Sequence, residues 1–320
     1  LETARGGILR AGLGFGRCDV AVVTNIQEDH MGLSDIHTLK DMAKVKGVVV
    51  ESVKRDGYAV LNADNEHCVN IGRAARCNVA YFSLDEKNPI IEEHCKRGGI
   101  AAIYENGYIT IKKGEWKFRV EKVATIPLTF GGRVTFMIQN VLAATLASYV
   151  YGFTTQDIAT SLETFIPSAA QTPGRMNIFD FKEYKVMIDF AHNPDGFKGI
   201  KEFLSTIEST SKIGIITGTG DRRDDDIRAM GRISAEMFDH IIIRQDKFLR
   251  GRKAEDIVKL LVEGIHQVDE KKSYEYVPKE IEALNHAFSI AKAGSFIVAL
   301  SDVIDNAIEV VHSYLEKERK

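Results

Sequence analysis

Apolar positions along this chain fall into two alternating kinds of run. One kind is short and continuous, as in Val20–Val23, Tyr58–Leu61, Val186–Phe190, Ile213–Thr217, Ile241–Arg244, Ser273–Val277 and Phe296–Leu300. Runs of this length, rich in β-branched and aromatic residues and closed by polar ones, predict buried strands. The other kind recurs every three to four residues. Leu39, Met42, Ala43, Val49, Val50 and Val53 form one stripe, which predicts an amphipathic helix from about Ser34, with Ser34 as its cap. Val134–Tyr151 predicts a helix with a strongly apolar face, and Thr155–Phe165 a shorter one.

Between these signals the pattern changes twice. From Val79 to Gly132 the apolar positions alternate in short segments around Asn106-Gly107 and Lys113-Gly114. The Asn-Gly pair is a hairpin signal, so a small antiparallel layer is expected there. Leu1–Gly16 reads as the end of a strand followed by a glycine-rich loop. Pro167–Gly174 holds two of the six prolines and has no periodicity, which sets a domain boundary. The expected domains are 1–170 and 171–320. In the second, strand and helix patterns repeat, which predicts a doubly wound, mainly parallel sheet. The fold class is therefore α/β.

Composition narrows the function without defining it. The chain has 320 residues, 44% hydrophobic and 27% charged, with a formal charge of −3. That balance gives no argument for nucleic acid or an anionic membrane as partner. No apolar run reaches the ~18 residues that span a bilayer. The four cysteines show no metal-ligand spacing and read as reduced thiols of a cytoplasmic protein. The chain starts at Leu1, already inside the motif-like stretch LETARGG, and is expected to be a piece of a longer protein.

Candidate chemistry sits where strands end, the place where open α/β sheets keep their ligands. Val20–Val23 runs into Thr24-Asn25 and then Glu28, Asp29 and His30. These could hold a divalent cation, although a solvated acidic loop is the plainer reading. On the following helix a wheel places Lys46 with the apolar stripe and Lys44 with the polar face. A lysine turned inward is costly unless it pairs or is chemically altered. Burial favours the neutral amine, which can take up carbon dioxide and become a metal-binding carbamate. A stem that snorkels to the surface is the simpler alternative. In the second domain Asp189 and His192 close a strand, while Asn193 and Pro194 suit a helix cap and first turn. Gly218–Asp226 is neither a dinucleotide fingerprint nor a Walker A loop. Its acids fit a helix N-terminus, and the arginines of Asp246–Arg252 suit a carboxylate or phosphate. Read singly, both stretches are surface.

Taken in order, TNIQEDH, the helix lysine, IQNVLAA, PGR and DFAHNPDG resemble the Mur ligase superfamily. LETARGGILRAGLGFGRCDVAVVTNIQEDHMGL, GDRRDDDIRAMGRI and DKFLRGR are similar to its cyanophycin-synthetase branch, in the carboxy-terminal ligase portion. The resemblance implies an incomplete central ATP-binding domain followed by a Rossmann-like C-terminal domain. It implies ATP and Mg²⁺, an acyl phosphate, and an amine that attacks it. Glu2 and His30 would be ligands of one Mg²⁺. Lys46, carbamylated, would help hold a second, with Lys44 as the alternative. Asn140 would approach the adenine and Arg175 a phosphate. Asp189 would accept from the ribose, with His192 and Asn193 nearby. Lys46, His30 and Arg175 would carry the catalysis. The implied partners are an amino acid, arginine in that branch, and an acidic polymer. Upstream domains of the same polypeptide and a homo-oligomer are also implied. The superfamily's phosphate loop does not occur in these residues, so the chain alone is expected to ligate poorly. Two alternatives remain. One is another Mur-type ligase of the folylpolyglutamate-synthetase kind. The other is a degenerate scaffold that keeps the fold without the chemistry.

Overall fold

The computed structural model describes residues 1–28 and 36–319. The expectations for Asp29, His30 and Ser34 concern residues outside that range. The described chain divides into two units, Leu1–Ile166 and Pro167–Lys320.

Continuous apolar runs make the first sheet. Its strands are β1 (Cys18–Val23), β2 (Val53–Asn62), β3 (Asn78–Ser83), β4 (Ile100–Glu105), β5 (Tyr108–Lys113) and β6 (Trp116–Lys122), paired in chain order. β1 to β4 are parallel, and β4-β5-β6 are antiparallel. Side chains alternate between two cores, as the period of two requires. On β2, Ala59 and Leu61 join one core and Val60 the other. Helices α2 (Leu39–Glu51), α3 (Glu66–Ala74) and α4 (Pro89–Lys96) cover the first face. Helices α5 (Thr135–Tyr151) and α6 (Thr155–Thr164) cover the second.

Four expectations are corrected here. The hairpins are the edge of this sheet and not a separate layer. β4 is buried on both faces, through Ala101 and Ile103 on one side and Ala102 on the other, so it continues the parallel sheet and also starts the meander. The amino-terminal segment is helical over Arg5–Ala11 (α1), despite Gly6 and Gly7. Helix α2 begins at Leu39, the first residue of its stripe and later than the expected start, because Thr38 and Asp41 form a capping box: each side chain accepts the other's backbone N–H at 3.1 Å. Val53, counted in the helical stripe, opens β2. Helices α3 and α4 carry only two or three buried residues each and were not expected from the pattern.

The second sheet runs β11-β10-β9-β12-β8-β7. Its strands are β7 (Asn177–Asp180), β8 (Lys185–Asp189), β9 (Ser211–Ile216), β10 (His240–Ile243), β11 (Tyr274–Tyr276) and β12 (Ser295–Leu300). Every neighbouring pair is parallel except β7–β8. This is the expected doubly wound sheet, with one short antiparallel edge added. Helices α7 (Pro194–Ser205), α8 (Asp224–Met237), α9 (Ala254–His266), α10 (Glu280–Ile290) and α11 (Ile304–Arg319) connect the strands and close the chain. α8 and α9 touch backbone to backbone. A Cβ at Gly231 would lie 2.2 Å from the Leu261 carbonyl oxygen, and one at Gly264 would lie 2.1 Å from that of Arg228. Among the described residues no helix is long and apolar enough to cross a membrane.

Candidate functional sites at two sheet edges

At the carboxyl end of β1 the chain leaves the sheet at Thr24 and is held by carboxamides. Asn62, at the end of β2, donates its Nδ2 to the Thr24 carbonyl and to Asn25 Oδ1, both at 2.9 Å. Asn65 caps α3 through its Oδ1 and donates Nδ2 to the Ile26 carbonyl at 2.9 Å. Asp64 joins the ends of β2 and β3, accepting from Ser83 Oγ and the Leu84 N–H. Into this edge Lys46 reaches from α2. It is half-buried, and its Nζ donates to the Asn25 carbonyl at 3.2 Å. Lys44 stays exposed and pairs with Asp41 at 3.6 Å. The geometry thus separates the two lysines as the helical wheel does. Cys68, beneath Lys46, is buried, and burial pushes its thiol up to about 11. Of the other expected residues, Glu2 is exposed and belongs to no cluster of three metal-ligating side chains among the described residues. Asn140 is exposed on α5, whose core lies on the opposite face of the sheet from α2. It lines a cleft of about 740 Å³ whose floor includes Ile126, Leu128, Val141 and Ile158.

In the second unit four expected residues come together around the end of β8. Asp189 is buried, and each carboxylate oxygen accepts one backbone N–H, from Met176 at 2.9 Å and from Ala191 at 2.7 Å. Burial still pushes its pKa up to about 6, against those two bonds and the nearby Arg175 charge. Arg175 is exposed, with its guanidinium 5.6 Å from the Phe190 ring centre. The His192 ring packs edge-on against Phe190, its Nδ1 2.9 Å from the Phe190 carbonyl. Asn193 caps α7, accepting the Gly196 N–H at 2.8 Å.

The loops after β9 and β10 are zipped together. Arg250 pairs with Asp221, and Arg252 with Asp224 at 2.6 Å. Asp225 pairs with Arg228 at 3.2 Å and Asp226 with Arg223 at 2.8 Å. Gly220 lets the two loops close, since a Cβ there would sit 1.8 Å from the Leu249 carbonyl oxygen. The arginines expected to face a ligand therefore meet this chain's own carboxylates. Beneath them lies a cluster that the sequence reading missed. Arg244, 2% exposed, directly follows β10 and donates to Asp302 Oδ1 at 2.5 Å and to the Leu300 carbonyl at 3.2 Å. Glu280 lies 3.6 Å from the same guanidinium. Burial and then Asp302 push Asp246 up to about 6. Asp302 moves the other way: burial, the largest single influence, raises it, but the Arg244 charge and the hydrogen bonds from Arg244, its own backbone and Asp246 together bring it below the ordinary value. Arg244, Asp246 and Asp302 each follow an apolar strand within three residues, which is the signal that could have found them.

In both α/β units polar groups gather at the carboxyl ends of parallel strands, where such sheets keep their ligands, and comparison makes the class specific. The Mur ligase middle domain matches residues 1–148, and the Mur ligase glutamate ligase domain matches residues 174–302. The chain belongs to the Mur ligase family. It is similar to the cyanophycin synthetase of Geminocystis herdmanii, 45% identical over 98% of this chain and 36% of that protein. To that of a Nostoc species it is 43% identical, over 97% of this chain and 34% of that protein. The chain thus spans about a third of the length of these curated relatives. Escherichia coli FolC, solved in complex with ADP, matches with a TM-score of 0.67 at 15% identity, over 95% of this chain and 66% of that one. That likeness is one of fold.

Proposed function

We propose that this chain is the ligase module of an ATP-dependent amide synthetase that joins an amino acid, arginine by likeness, to side-chain carboxylates of an acidic polymer. The observation that carries the reading is Lys46, drawn in from α2 to the Asn25 carbonyl at the end of β1 while Lys44 stays outside. The names of the relatives support the reaction class, and their greater length makes the activity a property of the larger protein. In the reaction a polymer carboxylate attacks the γ-phosphorus of ATP and ADP leaves. The deprotonated amine then attacks the acyl phosphate, and phosphate leaves with formation of the amide.

Each residue would have a limited task. Asn140, an exposed carboxamide beside an apolar cleft, suits the edge and face of a purine. Asp189 has lone pairs beyond the two used by backbone N–H groups, and these would accept from a ribose. Arg175, exposed on its loop, would reach a phosphate with its fork of donors. His192 and Asn193 hold the turn that presents Asp189. Glu2, His30 and a carbamylated Lys46 would hold Mg²⁺, since an ammonium cannot ligate a cation and a carbamate can. When bound, Mg²⁺ would neutralise the charge of two approaching anions. The acids of 221–226 already pair with arginines of this chain, so they serve loop docking better than arginine selection.

The test is amide formation from ATP, aspartate polymer and arginine, assayed in the full-length protein. Lys46→Ala should abolish it, and Lys44→Ala should leave it near wild type. The reverse pattern would transfer the role to Lys44. Ligation unaffected by both would make Lys46 a structural lysine and overturn the site assignment. No ligation by the intact protein would support the scaffold alternative, and turnover with glutamate instead of arginine the folylpolyglutamate-like one. The 320-residue chain alone should release little phosphate, for want of a phosphate-cradling loop.

A further inference from the structure

A second cluster of ligating side chains lies on the second sheet, away from Asp189 and Arg244. His240 opens β10, Glu275 is the middle residue of the edge strand β11, and His286 lies on α10. Strand register explains why they meet. Ile242 points into the core that α10 covers with Ala283, Leu284 and Ala287. His240 is two residues earlier on the same strand and so faces the same side. Glu275 is the register partner of Ile242 and faces it too. His286 is on the helix that covers that face.

We propose that His240, Glu275 and His286 form a binding site for a divalent transition-metal ion of the zinc class, which fastens the edge strand β11 to α10. The Nε2 atoms of His240 and His286 lie 3.0 and 2.9 Å from the two oxygens of Glu275. One ligand atom from each residue can be chosen so that all lie within 4.8 Å of one another. Tetrahedral bonds of ordinary length place neighbouring ligand atoms about 3.3 Å apart, so an ion needs only a small outward shift of the carboxylate. Both Nε2 atoms are shielded from solvent, yet neither makes a well-aligned hydrogen bond. His240 has the outer support that metal-binding imidazoles have, because its Nδ1 lies 2.7 Å from Ser273 Oγ. If Nδ1 carries the proton, Nε2 presents its lone pair to the shared space. Two nitrogens and one carboxylate suit Zn²⁺, Co²⁺ or Ni²⁺, and suit Mg²⁺ or Ca²⁺ poorly. A fourth position remains for water. The three residues come from three elements, and β11 is a three-residue strand with every residue exposed, so an ion here would add a tie to a sheet edge otherwise held by its pairing with β10.

The experiment uses the whole chain, stripped with chelator and kept in excess Mg²⁺ to occupy oxygen-rich sites. Titration with Co²⁺ should give visible ligand-field bands of a four-coordinate ion, saturating at one equivalent. Zn²⁺ should displace them and raise the melting temperature. His286→Asn should weaken Co²⁺ binding at least about tenfold, and His240→Asn with His286→Asn should abolish both the bands and the Zn²⁺-induced rise. If the double variant fails to fold, Glu275→Gln, on the exposed strand, serves in its place. Absence of the bands in the wild-type chain would overturn the proposal and leave a direct histidine–carboxylate contact. So would bands that persist undiminished in the variants.

Discussion

At the end of β1 the described contacts are mostly neutral: carboxamides of Asn62 and Asn65, carbonyls of Thr24, Asn25 and Ile26, and one lysine laid against them. At the ends of β9, β10 and β12 they are charges, several of them buried, paired across loops. The two edges should fail differently. A carboxamide sets the path of a loop, and its loss forfeits a few hydrogen bonds. The buried Arg244 guanidinium neutralises the carboxylates beside it, and losing it leaves them charged in a poor dielectric. The first edge should show itself in activity, the second in stability.

The largest expected effect is on activity at the first edge. Lys46→Ala in the full-length protein should reduce ligation at least about 100-fold with little change in melting temperature. A large loss of stability instead would make Lys46 a structural residue and remove the contrast. Next comes Arg244→Ala, expected to destabilise the second unit by about 3–5 kcal/mol in urea denaturation, because Asp302 and Glu280 lose their shared partner. A cost under about 1 kcal/mol would mean that water already reaches the cluster.

Asp189 gives a pH-dependent version of the same contrast. Its folded pKa of about 6 lies above the ordinary carboxyl value, so the fold disfavours its ionised form. Stability from this group is therefore present below about pH 4 and lost as pH rises through 6, by on the order of 1–3 kcal/mol. The change in urea midpoint between pH 4.5 and pH 7 should shrink in Asp189→Asn. An equal change in both proteins would place the titration elsewhere. Gly220→Ala should cost about 1–3 kcal/mol by driving a methyl into the Leu249 carbonyl and parting the two zipped loops. The smallest effect is expected from Asn62→Ala, about 1–2 kcal/mol for three lost bonds at a site that water can partly refill. A larger cost there than at Arg244 would invert the comparison.

Much of this was legible in advance wherever burial on both faces imposed a continuous apolar run. β9 and β12 read that way, and so did the Asn193-Pro194 start of α7. The expectation that Lys46 faces inward came from helical spacing alone, which a regular helix preserves. Elements with little apolar commitment were not readable. α3 buries only Cys68, Val69 and Gly72, and α1 buries nothing. The hairpins were found but their membership of the first sheet was not, because it rests on the pairing of β4 with β3 across α4, which no local pattern marks. For the same reason Arg244 and Asp302, 58 residues apart, gave no joint signal, although their strands β10 and β12 flank β9 in the sheet.

The paired glycines of α8 and α9 act as a stop that sets the clearance of a joint. Each helix starts where one of the zipped loops ends, α8 after Arg223 and α9 after Lys253. With Gly231 and Gly264 the two rods meet at backbone distance, and nothing thicker fits. A single methyl at either position would act as a shim, tilting one rod away from the other. The displacement would appear at the rods' ends, where Asp224 must still meet Arg252. How closely those two loops register is thus set by bare backbone in the middle of the helices, at positions that present no side chain to any ligand.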